Sequence, residues 1–300
     1  MAGLGGYNAV GADEIVVAAC LTLLPLVAMG FWGEWVRRQS KKLPLWLRVV
    51  WPAALCLPYA LVSSAWGIFR WMWLLVYALV PLSVAALMLD GKRVDPNQHG
   101  TWRELLVLGA LGLAVDLRWM EGAWPPHLSA FNKLLLLDAG IYGLLVLREL
   151  DGVGFDLRLR LRDLWVGVRE YLLYAPMAVA LGLGMGFLHF HAHWPSLLQA
   201  LGALVFTFLF VAIPEELFFR GWVQNLLERR LGRWPALLVT AVLFGLAHFN
   251  KRAVHFNWRY VVMAALAGIF YGRAWRQERR VGASGITHML VDTTWSLWLR

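Results

Sequence analysis

The chain is a succession of long apolar runs broken by short basic loops. Uncharged runs extend from about Ile15 to Trp32, Val49 to Phe69, Trp71 to Leu89 and Tyr171 to Leu188. Further apolar runs cover Leu197 to roughly Glu228, Pro235 to about Phe249, Tyr260 to Gly272 and Ser284 to Trp298. A helix standing upright in a bilayer needs about 20 apolar residues, so several of these runs fall short. Two shorter pieces, Leu105 to Val115 and Leu134 to Leu147, read as two short helices or a re-entrant pair. The expectation is an all-α, polytopic integral membrane protein of eight to ten transmembrane helices. No repeat at a fixed period and no Gly-, Ser- or Pro-rich linker divides the chain into soluble domains.

Composition agrees. Of 300 residues, 60% are hydrophobic and only 16% charged, and the mean hydropathy is +0.58. A soluble domain carries about 45–50% apolar and about 25% charged residues. The 18 Trp suit a membrane–water boundary, where an apolar ring keeps a wet N–H. Cys20 and Cys56 fall inside apolar runs and read as small buried hydrophobes without a disulfide. Asp13 and Glu14 precede the first run with no basic residue, unlike a cleaved signal.

The net charge of +9 bears on topology and anionic lipid, and nucleic acid is not an expected partner. Basic clusters at Arg37–Arg48, Lys92–Arg103, Arg148–Arg169, Arg229–Arg233 and Arg273–Arg280 occupy alternate loops. All five can face the cytoplasm, with both termini outside. Lys251, Arg252 and Arg259 dissent, falling in an outer loop. Leu and Arg alternate through Phe155–Asp163, which reads as a positive loop, or else as a short strand on a headgroup layer.

Ionisable residues inside apolar runs are costly and mark functional sites. In Ile213-Pro-Glu-Glu-Leu-Phe-Phe-Arg220, Glu216 and Arg220 share a helix face, while Glu215 points about 100° away and is left without a local partner. Pro214 withholds an N–H and so favours a kink. Across the basic turn at Arg229–Arg233 the next run ends in Phe-Gly-Leu-Ala-His248. Glu215 lies 14 residues before Arg229 and His248 lies 14 after Trp234. At 1.5 Å per residue both stand about 21 Å along their legs of a hairpin, at one depth. Phe244 lies one turn before His248 on the same face. In the last run Ser284 is placed to cap the helix start, and His288 and Asp292 follow at i and i+4. Tilt is needed to bring them level with the first pair.

These groups do not form a zinc signature. The helical His-Glu-x-x-His is absent and no Cys lies near, so neither a metal nor a cofactor is expected. His189, His191 and His193 make a weak outer-side metal candidate. Gly282-Ala-Ser-Gly285 is similar to a rhomboid serine-protease motif, but no later helix supplies its base.

Glu-Glu-x-x-x-Arg (Glu215, Glu216, Arg220), Phe-x-x-x-His (Phe244, His248) and a late His-x-x-x-Asp (His288, Asp292) stand in order on successive helices. This set resembles the CAAX-processing and bacteriocin-processing protease family, the intramembrane glutamate endopeptidases that include the Ras-converting enzyme. The resemblance covers Leu197 to Trp298. It implies a catalytic core in 197–300, with 1–196 as a transmembrane region of unassigned role. It implies a hydrolase for a membrane-associated protein or peptide, working without metal. Glu215 would activate a water held jointly with His248, Glu216 and Arg220 would be a structural pair, and His288 with residue 292 would stabilise the oxyanion. The Ras-converting branch has Asn where this chain has Asp292. An ionised Asp repels an oxyanion, so Asp292 is either protonated or serves to orient His288. That departure argues against prenylated substrates. Arg outnumbers Lys 23 to 5, which points to a bacterial inner membrane. The rival readings are a non-catalytic membrane scaffold or immunity protein, and a proton-coupled transporter.

Overall fold

The computed structural model describes residues 12–191, 194–251, 253 and 255–299. Arg252 and His193 lie outside the described residues. Among those described, every regular element is helical. The chain divides into two compact units, residues 1–150 and 151–300.

The first unit contains α1 (Ala12–Lys42), α2 (Leu45–Ala65), α3 (Trp71–Val94), α4 (Trp102–Asp116) and α5 (Ala130–Leu147). Proline shapes α2. It tightens to a 3₁₀ stretch at Trp51–Cys56, where Pro52 withholds the N–H that would bond the carbonyl of Arg48. The hydroxyl of Tyr142 on α5 donates to that carbonyl instead, at 3.0 Å. The expected short piece Leu134–Leu147 is the end of α5, an 18-residue helix whose last seven residues widen to a π-helix. It is the interior helix of its unit, with 78% of its apolar window buried. Gly143 permits this: a Cβ there would stand 2.5 Å from Val84 on α3. Arg148, wholly buried past the end of α5, reaches Glu104 and Asp95. Cys20 is exposed and Cys56 half-buried, so neither is the buried hydrophobe that its run predicted.

The second unit contains α6 (Leu161–Gly184), α7 (Leu197–Leu231), α8 (Arg233–Leu246), α9 (Trp258–Glu278) and α10 (Val281–Trp298). Gly232, at φ 78°, makes the turn between α7 and α8. Helices α8 and α9 approach closely: a Cβ on Gly245 would stand 2.5 Å from the carbonyl of Val261, and one on Gly268 would stand 3.0 Å from Cα of Ala241. Gly167 does the same for α6 against Ile286 on α10, and Thr287 donates to its carbonyl at 3.1 Å. Small residues at crossings are how apolar helices gain contact where lipid is as apolar as they are.

The alternating stretch before α6 forms no strand. It is an irregular segment in which both Leu159 and Arg160 are exposed. Arg280 holds it in place, pairing with Asp156 at 3.2 Å and Asp163 at 2.9 Å and donating to the carbonyl of Arg158 at 2.7 Å. These bonds also set the start of α10. Its N-cap is Arg280, and Ser284 does not cap it: the hydroxyl donates back to the carbonyl of Val281 at 3.1 Å.

Among the described residues, six helices are long and apolar enough to cross a membrane: α1, α2, α3, α5, α6 and α7. Helix α8 is apolar but shorter, and α9 and α10 are diluted by arginines and by the polar residues described below. The expected eight to ten spans are therefore not reached by length and composition. Leucines and valines along these helices face outward, among them Leu172, Leu198, Val205 and Val239. Exposed Trp71, Trp165, Trp234 and Trp258 sit at or near helix starts, as interfacial rings do.

Candidate active site

Helix α7 is not regular where its carboxylates lie. It widens to π-helical turns at Phe208–Ala212 and again at Leu217–Gln224, on either side of Pro214 and the two glutamates. A proline without an N–H breaks the normal ladder, and extra residues per turn re-aim the side chains that follow.

Glu216 and Arg220 are both wholly buried and pair at 3.1 Å. The guanidinium is also matched elsewhere. Its Nη2 donates to the carbonyl of Gly268 on α9 at 3.0 Å, and it lies over the rings of Phe244 at 4.6 Å and Tyr271 at 5.2 Å. A buried cation persists when it is paired, hydrogen-bonded and faced by aromatic rings.

His288 joins this pair from α10. Its Nδ1 lies 2.9 Å from Oε1 of Glu216. A carboxylate oxygen only accepts, so Nδ1 holds the proton of that bond. The other nitrogen, Nε2, faces Asp292 at 3.4 Å and Glu215 at 3.9 Å. These are ion-pair separations rather than hydrogen bonds. The ring is clamped by Tyr271, stacked at 4.5 Å and 15°.

His248 lies just past the end of α8 rather than within it. Its Nδ1 is 2.8 Å from the carbonyl of Phe244, one of the groups that a helix end leaves without an intrahelical partner. Because a carbonyl only accepts, Nδ1 donates and Nε2 keeps its lone pair. The ring stacks on Tyr260 at 5.2 Å and 22°.

A cavity of about 140 Å³ adjoins these groups. His248, His288 and Asp292 all face it, and most of the rest of its wall is apolar. Glu215 is not part of that wall. Its side chain is 36% exposed, yet Oε2 is shielded and makes no hydrogen bond among the described residues. Its charge and that of Asp292 both act on His248.

The structure thus brings Glu215, Glu216, Arg220, Phe244, His248, His288 and Asp292 into one cluster, with Phe244 edge-on to His288 at 5.7 Å. Sequence reasoning missed the tyrosines. Tyr260 and Tyr271 share a face of α9 with Ala264 and Ala267, a spacing of four, three and four that could have pointed to them. Nothing in the sequence marks the carbonyl of Gly268 as the second acceptor for Arg220. His189 and His191 stand apart and are exposed. Among the described residues, no three His, Cys, Asp or Glu side chains are grouped to hold a metal ion.

Residues 197–294 match the family model for type II CAAX prenyl endopeptidases, Rce1-like. Over this segment, a third of the chain, the sequence is similar to the CAAX-protease family. The family is one of proteases that act on membrane-associated proteins, and with the apolar helices it makes this a multi-pass membrane protein. No curated protein and no solved structure matches the chain.

Proposed function

We propose that this protein is an intramembrane endopeptidase that hydrolyses a peptide bond in a membrane-associated protein or peptide, using water activated by Glu215 and no metal. The observation that supports this best is a carboxylate oxygen of Glu215 without a hydrogen bond among the described residues, 3.9 Å from Nε2 of His288, in a site where the Nδ1 positions of both His288 and His248 are already committed. Glu215 takes a proton from water as the oxygen attacks the carbonyl carbon, and returns it to the departing amine nitrogen. Nε2 of His248, left free by the bond of its Nδ1 to Phe244, accepts a hydrogen bond from the other O–H of that water, which stays on the attacking oxygen. In its imidazolium form His288 donates from Nε2 to the tetrahedral oxyanion, where an aligned donor is worth about 10²–10³ in rate.

Glu216 and Arg220 position His288 and do not meet the substrate. Asp292 aligns the outer edge of the His288 ring. The catalytic region is 197–300, with α6 forming one wall of the cavity, and residues 1–196 keep a membrane role of their own. Helices α8, α9 and α10 add to the six long apolar helices to give the eight-to-ten-helix membrane body. The cell membrane of a bacterium is the proposed setting.

The reading is tested by reconstituting the purified protein in lipid vesicles with a membrane-protein extract and following cleavage. Cleavage that survives a chelator and disappears in Glu215→Gln is expected. Cleavage that a chelator abolishes, or that Glu215→Gln retains, contradicts it.

A further inference from the structure

The lining of the cavity beside the cluster has two unlike parts. His248, His288 and Asp292 are its imidazole and carboxylate groups. The remaining wall is largely apolar, drawn from Ala178, Phe187, Leu188, Met263, Ala267 and Trp295 among others. An apolar pocket with a few convergent polar groups is the usual form of a side-chain or ligand site.

Its size is informative. At about 140 Å³ it is close to the engineered cavity of about 150 Å³ in another protein that takes up benzene. One ring or one branched aliphatic group fills such a space. An isoprenoid chain has more than twice the carbons of a benzene ring and does not fit inside.

The wall is also held in shape. Phe187 stacks on Trp295 at 5.9 Å and 18°, and meets Tyr260 edge-on at 5.5 Å. Leu188 is seated on Gly182, where a Cβ would stand 2.5 Å from its side chain. Ala178 and Ala267 are buried at 6% and 3% exposure, so the absence of longer side chains at these two positions is part of what leaves the space open.

We propose that this cavity receives one aromatic or branched-aliphatic side chain of the substrate, from a residue flanking the scissile peptide bond, and excludes an isoprenoid chain. The inference rests on the peptidase reading above. With the side chain seated on the apolar lining, the peptide bond of that residue lies against His248 and His288. An acidic side chain is refused, because the apolar wall offers no partner for its charge and Asp292 repels it. Ala267 and Met263 set the upper size limit from α9.

The test sequences the termini of membrane proteins from cells carrying the wild type, Glu215→Gln, Ala267→Leu or Met263→Ala. Ends that require Glu215 are expected beside Leu-, Met- or Phe-sized residues. In Ala267→Leu, ends beside Phe should fall at least about tenfold against those beside Ala or Val, given about 10–200-fold for one methylene in such a pocket. In Met263→Ala the preference should move toward Trp. Glu215-dependent ends whose flanking residues are the same in both pocket variants overturn the pocket and leave the peptidase standing. So does faster cleavage of a farnesylated peptide than of its unmodified twin by the purified protein. An absence of any Glu215-dependent end overturns the peptidase reading, and this inference with it. Should Ala267→Leu fail to accumulate, the enlarging variant Met263→Ala decides alone.

Discussion

Nδ1 of His288 lies 2.9 Å from Oε1 of Glu216, the same oxygen that takes the Arg220 guanidinium at 3.1 Å. One carboxylate oxygen on α7 therefore ties the last helix to a buried cation. The second of the two glutamates is the hub of the site's architecture, and each of the two keeps one oxygen without a hydrogen bond among the described residues.

Removing the hub should unfold before it inactivates. Glu216→Ala leaves Arg220 buried without its acid partner, a change that costs about 3–5 kcal/mol. A markedly lower unfolding temperature in detergent, or failure to accumulate, is the expected result. A Glu216→Ala protein as stable as its parent contradicts the structural role.

Asp292 should tolerate an amide but not a hydrocarbon. Its Oδ2 sits 3.4 Å from Nε2 of His288, and its side chain is 34% exposed, so Asn can fill the same place without a new buried charge. Asp292→Asn is expected to keep kcat within about tenfold of the parent. Asp292→Leu, which leaves His288 unaligned, should lose about 10²–10³, the scale of a lost oxyanion donor. Equal losses in the two variants would argue for a proton on Asp292 as the essential feature instead.

The α8–α9 crossing should resist any side chain at Gly245. A Cβ there would stand 2.5 Å from the carbonyl of Val261 and 2.8 Å from Cβ of Ala265. Gly245→Val is expected to cost about 1–3 kcal/mol or more as overpacking. Because α8 ends beside His248, cleavage should fall along with the unfolding temperature. A variant with normal stability and normal activity contradicts the close crossing.

The first unit should weaken in acid through Asp95 and Glu149, which lie outside the membrane spans. Burial pushes the Asp95 carboxyl up, but the N–H groups of Gly100 and His99 and the guanidinium of Arg148 outweigh it, and its pKa falls below the usual value. Burial likewise raises Glu149, and Lys41 and Lys92 more than offset that. Both folded values thus lie under the unfolded ones of about 3.9 and 4.3. A depressed carboxylate stabilises fully above its unfolded pKa and loses that stabilisation as pH falls through its folded pKa. Stability measured against pH should therefore fall below about pH 4. The double variant Asp95→Asn, Glu149→Gln should be less stable at neutral pH and fall less steeply in acid. Parallel acid limbs for the variant and its parent contradict this.

Much of the site was legible because its residues obey helical spacing. Glu216 and Arg220 at i and i+4 pair as the period demands, and the turn at Gly232 folds α8 back against α7 as the basic loop predicted. Other features were set by long-range contacts that no local pattern encodes. Helix α10 starts at Val281, not at Ser284, because Arg280 is held by Asp156 and Asp163 from before α6. His248 falls beyond the end of α8, where its ring bonds the carbonyl of Phe244. The π-helical turns around Pro214 were read only as a kink, since hydrophobic periodicity cannot tell a widened turn from a bend. Length and composition leave the count at six for a related reason: α9 carries arginines and α10 carries His288 and Asp292, and both so lose the apolar signature of a crossing helix.

The most direct test of the account compares the termini of membrane proteins in cells carrying the wild type or Glu215→Gln at equal levels in the membrane. A set of new termini present with the wild type and lost with Glu215→Gln is the predicted result, and the residues around them define the cleavage motif. Identical termini, with both proteins folded and equally abundant, would contradict proteolysis by Glu215 and favour a non-catalytic scaffold.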